Sequence, residues 1–339
     1  MMFFHLKKKI ISKIIEKRVK QHPFDLQYAE NFTLKDDADS LMNNSYYFSA
    51  HDEKMSLFVR LGKRTGVDET WFVVYLDGKI HTLKEESFAS GKSPLHIEKS
   101  GDSWELSFHG IVNKKDNILL HAKFHPVRPP VDFTTDMPAE RMAIGIANEC
   151  WNRTFFENLQ NISGQCHYEQ EGILDGRMIL NDITVPFCLP CVRDHSFGKR
   201  DWSYMNNHLW LMAVSAPCQF NYSLVSYPAL SVLEVGHYRN GDNLHYMSRS
   251  NLNLEEVNQG IIPSGLKFKM VLNNGHVIDV NTKVLTGVSY HFQDGRYILH
   301  ENVAEFNING NVCRGILEIG FNKDQDRYFN HRDLKSIKR

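Results

Sequence analysis

Short stretches of alternating apolar and polar residues, each bounded by a tight-turn signal, fill most of the chain after residue 43. The turn signals are Asx-Gly pairs, which supply the positive φ angles that two-residue hairpin turns require. Because successive side chains of a strand point to opposite faces, this alternation predicts antiparallel hairpins. Five such turns lie between apolar or alternating runs, at Asp77-Gly78, Asn240-Gly241, Asn274-Gly275, Asp294-Gly295 and Asn309-Gly310.

The segment between residues 126 and 138 interrupts the hairpin pattern with four prolines. Proline cannot continue a central strand, so the segment predicts a boundary between two β units. Asp136 and Pro138 are typical of a helix start, and apolar residues at helical spacing predict one helix to about Leu159. We therefore expect five parts: a basic helix over 1–22, an N-terminal β unit over 40–133, a helical linker over 134–161, a C-terminal β unit over 162–322 and a polar basic tail over 323–339.

Many short antiparallel strands with few helices favour an all-β fold, built of barrels or sandwiches, over a doubly wound α/β fold. Of these two we expect barrels. Closure of a sheet removes its exposed edges and leaves an apolar interior that can hold one small ligand.

The first twenty residues predict a basic amphipathic helix, in which apolar residues recur at helical spacing and basic residues occupy most of the other positions. Such a helix can lie in a membrane interface, with its lysines near anionic headgroups. The alternative is that its isoleucine face docks on the body of the same protein. The candidate membrane contacts are Phe3, Phe4, Ile10, Ile11, Ile14 and Ile15.

The composition, with 42% apolar and 23% charged residues, is that of an ordinary globular protein. The net charge of -1 hides an asymmetry, because residues 1–20 carry seven Lys or Arg and leave the body acidic. An acidic body argues against nucleic-acid binding, which needs a clustered basic face. Six cysteines are too few for a disulfide scaffold and no secretory signal pattern precedes them, so we expect a cytoplasmic protein that is not secreted and whose helix allows peripheral membrane contact.

No motif for a phosphate, dinucleotide or metal cofactor is complete. Gly-Lys-Ser at 91–93 resembles the end of a phosphate loop, but Glu86 stands where that loop needs glycine. Cys188 and Cys191, followed by His195, suggest zinc or redox chemistry, yet a structural zinc site needs a second closely spaced ligand pair, which the sequence lacks. We expect no cofactor and no metal.

The densest group of chemically active side chains is the segment from Arg193 to Trp202, which reads Arg-Asp-His-Ser-Phe-Gly-Lys-Arg-Asp-Trp. In an extended strand, Asp194 and Ser196 point to one face, whereas Arg193 and His195 point to the other. Only one of these two sets can then face a cavity.

A buried Asp194 needs a cation, for which Arg193 and Arg200 are the candidates, and a neighbouring carboxylate would raise the pKa of His195. The segment can then move a proton. The alternative is a structural network of ion pairs and hydrogen bonds that closes one end of a barrel. On the last predicted hairpin, Glu318 is a lone acid in an apolar strand and a candidate second acid, although alternation alone does not decide which way it faces.

The segment Arg193 to Trp202 closely resembles the Arg-Asp-His-Ser-Trp-Gly-x-Arg-Asp-Trp signature of a branch of the calycin-like superfamily that includes carotenoid 1,2-hydratases and AttH-like proteins; Phe197 stands where the branch has Trp. Residues 306–310 and 315–318 are similar to the closing hairpin of the same branch. The likeness extends over roughly residues 40–322 and implies two lipocalin-like β-barrels joined by a short helical linker, with apolar small molecules held in or between the barrels.

The resemblance also implies a choice of functions, because members of the superfamily hydrate isoprenoid double bonds, close polyene rings or carry lipids. Fold alone cannot choose among them. We expect an enzyme that binds a polyene, isoprenoid or lipid-like molecule in a β-barrel cavity and performs cofactor-free acid-base chemistry on it, namely hydration, cyclisation or isomerisation. The alternatives are a non-catalytic lipid carrier that docks on membranes through residues 1–19, and a scaffold without a usable cavity.

In the catalytic interpretation, Asp194, or His195 when protonated, is the general acid, Arg193 and Arg200 set its pKa, and the ring of Trp202 stabilises carbocation charge. Glu305 lies on the same predicted hairpin as Glu318. The residues expected to contact the ligand are Ser196, Phe197, Trp202, Trp210, Glu305 and Glu318.

Overall fold

The computed structural model describes residues 2–35, 38–83, 86–162, 164–215, 218–257, 260–324 and 338–339. Most of these residues lie in two large antiparallel sheets, which confirms the predicted all-β class. Of the expected basic tail over 323–339, residues 325–337 lie outside the described residues.

The first sheet, called the open sheet below, has eleven strands in the order β4-β3-β2-β1-β11-β10-β8-β7-β6, with β5 paired to β3 and β9 to β10. Among the strands that the structure describes, β4 and β6 end this order and do not pair with each other. The strands are β1 Met42–His51, β2 Met55–Arg64, β3 Val67–Leu76, β4 Lys79–Thr82, β5 Ser87–Ala89, β6 Leu95–Ser100, β7 Ser103–Val112, β8 Asp116–Pro126, β9 Val131–Asp132, β10 Gln165–Leu180 and β11 Ile183–Lys199.

The second sheet closes on itself as an eight-stranded barrel, in which β12 pairs with β19. At its last turn, Asn309 and Gly310 have φ angles of 51° and 89°, as the Asx-Gly pattern predicts. The strands are β12 Asn207–Ser215, β13 Cys218–Ser226, β14 Leu233–Asn240, β15 Asn243–Ser250, β16 Lys267–Leu272, β17 Val277–Phe292, β18 Tyr297–Ile308 and β19 Asn311–Asn322.

Strand pairing divides the chain differently from the expected boundary between residues 161 and 162. The hairpin β10–β11, over residues 165–199, pairs with β8 and β1 and therefore belongs to the open sheet. The register between β1 and β11 joins residues about 150 positions apart in sequence, such as Tyr46 and His195. A local pattern cannot reveal such a long-range pairing.

Five α-helices and one short 3-10 helix accompany the sheets in the described residues. The predicted linker helix is two helices, because Asn152 starts a new one by accepting a hydrogen bond from the Phe155 amide at 2.7 Å. The N-terminal helix packs against α3. The helices are α1 Met2–Gln21, α2 Leu26–Glu30, α3 Ala139–Asn148, α4 Arg153–Ile162 and α5 Leu254–Val257, with the 3-10 helix at Trp202–Tyr204.

Three apolar cores explain how the sheets are arranged. One fills the concave side of the open sheet around Phe48 and Phe124, and another fills the barrel around Phe220 and Phe306. The third lies between the outer face of the barrel and the other face of the open sheet, where Trp71 and Tyr290 stack at 4.0 Å. The two sheets are thus joined by a buried, aromatic-rich interface.

Candidate functional site

A ligand-sized cavity lies in this interface. It is a cleft of about 650 Å³, lined by β1, β2 and β11 of the open sheet and by β12, β13 and β19 of the barrel, together with the loop after β11. A volume of this size is within the usual range for small-molecule sites. The barrel interior is filled by its own side chains, such as Phe220 and Phe306.

The alternation of β11 decides which part of the Arg193–Trp202 segment reaches this interface cleft. Asp194 and Ser196 line the cleft. Arg193 and His195 point to the concave side of the open sheet, as the sequence predicts for a strand that separates the two sets.

On that concave side both ring nitrogens of His195 have partners, Tyr168 and Asn44, whereas Nε and Nη1 of Arg193 are buried without a hydrogen-bond partner. Arg193 donates to Glu30 at 2.6 Å and lies 4.8 Å from the ring centre of Trp104. His195 stacks on Tyr46 at 4.2 Å, and burial, with the Arg193 charge, holds the pKa of His195 well below its usual value. The assignment of these two residues as groups that act on a cleft ligand is therefore corrected, because the sheet backbone separates them from the cleft.

Of the remaining predicted site residues, some line the cleft and others lie elsewhere in the structure. Arg200, Trp202, Trp210 and Glu318 line the cleft with Asp194 and Ser196. Phe197 instead stacks on Phe32 at 4.3 Å, on the side of His195. Glu305 is exposed and lies outside the cleft lining. Both placements are corrections: alternation turns Phe197 to the other face of β11, whereas Glu305 shares the outer face of Glu301 but lies farther along β18, opposite Arg314.

Asp194 belongs to a group with His167 and Glu169, called the aspartate cluster below. Glu169 pairs with Asp194 across β10 and β11, and His167 lies two residues earlier on the same face. His167 Nε2 is in direct contact with Asp194 Oδ2, and the His167 ring stacks on Phe133 at 4.4 Å. Sequence reasoning missed His167 and Glu169.

Donors from the barrel hold the third member of the aspartate cluster. The Trp210 Nε1–H and the Asn221 Nδ2–H donate to Glu169 Oε1 at 3.0 and 2.7 Å. Glu169 Oε2 is buried and has no hydrogen-bond partner in the structure. Burial raises the pKa of Glu169 to about 8, against the attraction of the His167 cation.

The ligand atoms of the aspartate cluster lie within 4.8 Å of one another, a spacing that a metal ion can bridge. Because His167 and Asp194 already contact each other directly, however, the two side chains can share a proton without a bridging metal ion. Burial is the largest influence and lowers the pKa of His167, but the contact with Asp194 and the charge of Glu169 together raise it overall. A histidine in direct contact with an aspartate therefore lies on the wall of the cleft.

The barrel contributes a second acidic group, formed by Glu301 and Glu318 and called the glutamate pair below. The two residues are direct cross-strand partners of β18 and β19. Glu318 lines the cleft with its Oε1 at 2.5 Å from His208 Nε2, and Glu301 lies fully buried behind it and accepts a hydrogen bond from the Tyr47 hydroxyl of the open sheet.

Aromatic rings and two cations complete the cleft. The rings of Trp71, Trp202 and Trp210 line it. Arg60 lies 4.7 Å from the Trp71 ring centre, and Arg200 lies 5.2 Å from that of Trp202. Burial and the neighbouring Arg60 lower the pKa of Arg200 to about 10, so Arg200 remains cationic at neutral pH. The cleft thus combines apolar walls with fixed charges of both signs.

The N-terminal helix divides the residues predicted to contact a membrane into two faces. Ile11 is buried, and Phe4 and Ile15 are half-buried against the body. A second stripe, called the exposed stripe below, stays open to solvent: the exposed fractions are 72% for Phe3, 54% for Leu6, 41% for Ile10 and 56% for Ile14. In the described part of the chain, none of the helices has the length and hydropathy needed to span a membrane.

The structure thus consists of an open sheet and a closed barrel with a ligand-sized cleft between them. Residues 33–323 match the model of the family described as Domain of unknown function (DUF7064), and the chain belongs to that family. A search of curated proteins gives no match to the sequence.

Two solved structures share the fold, at low sequence identity. An AttH protein of Nitrosomonas europaea is 9% identical, with a TM-score of 0.58, over 88% of this chain and 97% of that chain. Kievitone hydratase of Nectria haematococca is 10% identical, with a TM-score of 0.53, over 88% of this chain and 95% of that chain. The predicted resemblance to the AttH-like and hydratase superfamily is thus confirmed for the fold.

Proposed function

We propose that the chain is an enzyme of the lyase or isomerase type that binds an apolar small molecule in the interface cleft and moves a proton on or off it. The observation that carries the proposal is the His167–Asp194 pair on the wall of an aromatic-lined cleft of about 650 Å³. The fold shared with a protein named as a hydratase supports the same reaction class.

The residues of the cleft can perform cofactor-free acid-base chemistry. Asp194 exchanges the proton with the bound molecule, and His167 takes the role of its charged partner that the sequence suggested for His195. Trp202 and Trp210 provide ring faces that stabilise positive charge on a carbon skeleton, and their bulk excludes water. We propose a polyene, isoprenoid or lipid-like molecule as the substrate, because such a skeleton fits walls of this kind.

The proposal is tested with farnesol, retinol and a prenylated flavonoid as probes. Each is incubated with the protein in deuterated water, and the products are analysed by mass spectrometry for an added water or an exchanged carbon-bound hydrogen. We expect turnover of at least one probe. The Asp194→Asn variant should lower kcat by about 10² to 10⁴ and leave the dissociation constant within a few-fold, because it removes proton transfer and keeps the shape.

The matched control is Asp175→Asn, which changes an exposed aspartate of the same hairpin outside the cleft. It should turn over the probe at the wild-type rate. Full activity of the Asp194→Asn variant would remove Asp194 from the mechanism. Failure of all three probes to quench the fluorescence of the cleft tryptophans would argue against a ligand site for this class of molecule.

We propose in addition that α1 holds the protein on anionic bilayers, the function that the exposed stripe favours. Lys7 donates to the Glu149 carbonyl at 2.6 Å and Lys8 pairs with Glu140, so one side of the helix docks on the body. The exposed stripe lies beside Lys13 and Lys17, which are exposed as well. Apolar side chains flanked by lysines match the boundary between acyl chains and anionic headgroups.

Vesicle flotation tests this second function. The variant Phe3→Ser/Ile10→Ser/Ile14→Ser should lose binding to vesicles that contain phosphatidylserine, whereas the control His5→Ser/Glu16→Ser, which changes exposed polar positions of the same helix, should bind at least as well as wild type. Equal binding of both variants would contradict the membrane role of the exposed stripe. Vesicles of phosphatidylcholine alone should bind the wild type more weakly, because they lack the negative surface potential.

A further inference from the structure

The glutamate pair places two buried acids directly opposite each other. Glu301 and Glu318 are cross-strand partners on neighbouring strands and both are buried, and Glu301 Oε2 has no hydrogen-bond partner in the structure. A carboxylate only accepts hydrogen bonds, so two neighbouring carboxyl groups can bond to each other only when one of them carries a proton. Two negative charges at this separation would also repel each other strongly.

We propose that Glu301 and Glu318 share a single proton and that Glu318 delivers it to the molecule in the interface cleft as the general acid of the proposed reaction. This inference rests on the proposed function and adds the proton donor, on the opposite wall from Asp194. Glu318 is the catalytic member, because it lines the cleft. Glu301 is a positioning residue that acts through Glu318.

The neighbours of the two glutamates differ, and this difference assigns the roles of Glu301 and Glu318. His208 Nε2 lies 2.5 Å from Glu318 and its Nδ1 lies 2.5 Å from the Tyr297 hydroxyl, so a fixed ring stabilises negative charge on Glu318. The Tyr47 hydroxyl donates to Glu301. Burial, followed by the Glu318 charge, raises the pKa of Glu301 well above its usual value, whereas His208 and the bond from Glu301 outweigh burial and lower the pKa of Glu318. The resting proton therefore lies on Glu301.

The charged groups that face the pair come from several elements. Arg60 of β2 acts on Glu301, and Arg200 of the loop after β11 acts on Glu318. The Tyr290 hydroxyl of β17 is close to both acids and is neutral, since burial and the Glu301 charge raise its pKa well above the usual value. These two cations keep the pair from taking up a second proton at neutral pH.

The resulting step balances for addition of water to a carbon–carbon double bond. The O–H bond of Glu301 breaks and its proton passes to Glu318; the new O–H bond of Glu318 then breaks, and the proton forms a C–H bond with the π electron pair. A water molecule then forms a C–O bond to the cationic carbon, and the Asp194 carboxylate accepts its excess proton. After the product leaves, Asp194 returns a proton to solvent and the glutamate pair takes one up, so the net change is one added water.

The decisive variant is Glu301→Gln. The glutamine keeps an acceptor for Tyr47 and an N–H donor for Glu318, so the hydrogen bonds and the fold should persist while the transferable proton is lost. We expect the infrared carbonyl band of a buried protonated carboxyl group, identified by its shift in D₂O, to lose intensity. With the probes named above, we expect kcat to fall by about 10² or more with little change in KM.

The matched control is Glu305→Gln, an exposed carboxyl of the same strand, which should leave the infrared band and kcat unchanged. An infrared spectrum of Glu301→Gln equal to that of wild type would overturn the shared proton. If Glu301→Gln loses the infrared band but keeps full turnover, the pair is not the proton donor. If Asp194→Asn is inactive in the same assay, the proposed function still stands, without a donor role for the glutamate pair. If wild type turns over no probe, the proposed function and the donor role fail together, and the infrared spectrum still decides the shared proton.

Discussion

The aspartate cluster and the glutamate pair line opposite walls of one cleft, and each consists of an acid on the cleft wall, a buried glutamate beside it and a histidine. They differ in what the wall acid contacts. Asp194 is in direct contact with the His167 imidazole, whereas Glu318 lies directly opposite a second carboxyl group and 2.5 Å from His208 Nε2.

This difference locates the protons. In the aspartate cluster, the pKa of His167 is raised and Glu169 carries a proton of its own below about pH 8. In the glutamate pair, the single proposed proton rests on Glu301. The wall of the open sheet is therefore arranged to accept a proton at Asp194, and the wall of the barrel to donate one from Glu318. The following predictions test this contrast, in order of decreasing expected effect.

The largest effect concerns Glu169 and the pH dependence of stability. The folded pKa of about 8 exceeds the usual glutamate value of 4.5, so the native state holds a proton that the unfolded state releases between these values. Stability should therefore fall as pH rises through this window, by about 1.4 kcal/mol per pH unit from this group. In Glu169→Gln this contribution to the pH dependence of stability should vanish. Urea unfolding at several pH values between these two pKa values measures it.

The control for this measurement is Glu105→Gln, which replaces an exposed carboxyl of the same sheet and should keep the wild-type slope. An unchanged slope in Glu169→Gln would mean that Glu169 is ionised throughout the window. The aspartate cluster would then contain no protonated glutamate, and the contrast with the proton-sharing glutamate pair would not hold.

A smaller effect is expected from Tyr47→Phe, which removes the hydroxyl donor to the buried Glu301. An unsatisfied buried acceptor costs about 1 to 3 kcal/mol of stability. Chemical denaturation should therefore show a lower free energy of unfolding, while Tyr28→Phe, at a ring that is 62% exposed, should change it little. If the two variants have equal stabilities, the Tyr47 bond does not stabilise the pair.

The smallest effect is electrostatic and involves Arg200, whose charge lowers the pKa of both His167 and Glu318. In Arg200→Met the pKa of His167 should rise, which an NMR titration of the imidazole resonances can follow. Lys199→Met, at a neighbouring exposed lysine that pairs with Asp39, provides the control. A fall in the His167 pKa would show that Arg200 acts there by something other than its charge.

The sequence predicted the architecture where local signals carry it. The Asx-Gly turns mark hairpins of both sheets, and alternation along β11 correctly separated Asp194 from Arg193. The linker helix and the unit boundary depend instead on a capping Asn152 and on strand pairing across about 150 residues, for which periodicity gives no signal.

The site was partly within reach of the same reasoning. Counting outward from the Asn309-Gly310 turn pairs Glu318 with Glu301, so the glutamate pair was visible in the sequence once that turn was fixed. The aspartate cluster had no such marker, because β10 and β11 meet at Asn181 and Asp182, a turn with positive φ angles but without glycine. The contact with Tyr47 depends on how the two sheets pack, which no hairpin rule describes.

Each buried glutamate takes a hydrogen bond from the opposite sheet: Tyr47 of the open sheet donates to Glu301 of the barrel, and Trp210 and Asn221 of the barrel donate to Glu169 of the open sheet. Neither half can be exchanged for that of a distant relative without leaving an acid unsupported. Chimaeric proteins assembled at the β11–β12 junction should therefore fold poorly unless the donor residues of one sheet and the acceptor residues of the other are transferred together. The two sheets are thus expected to be inherited as a matched pair.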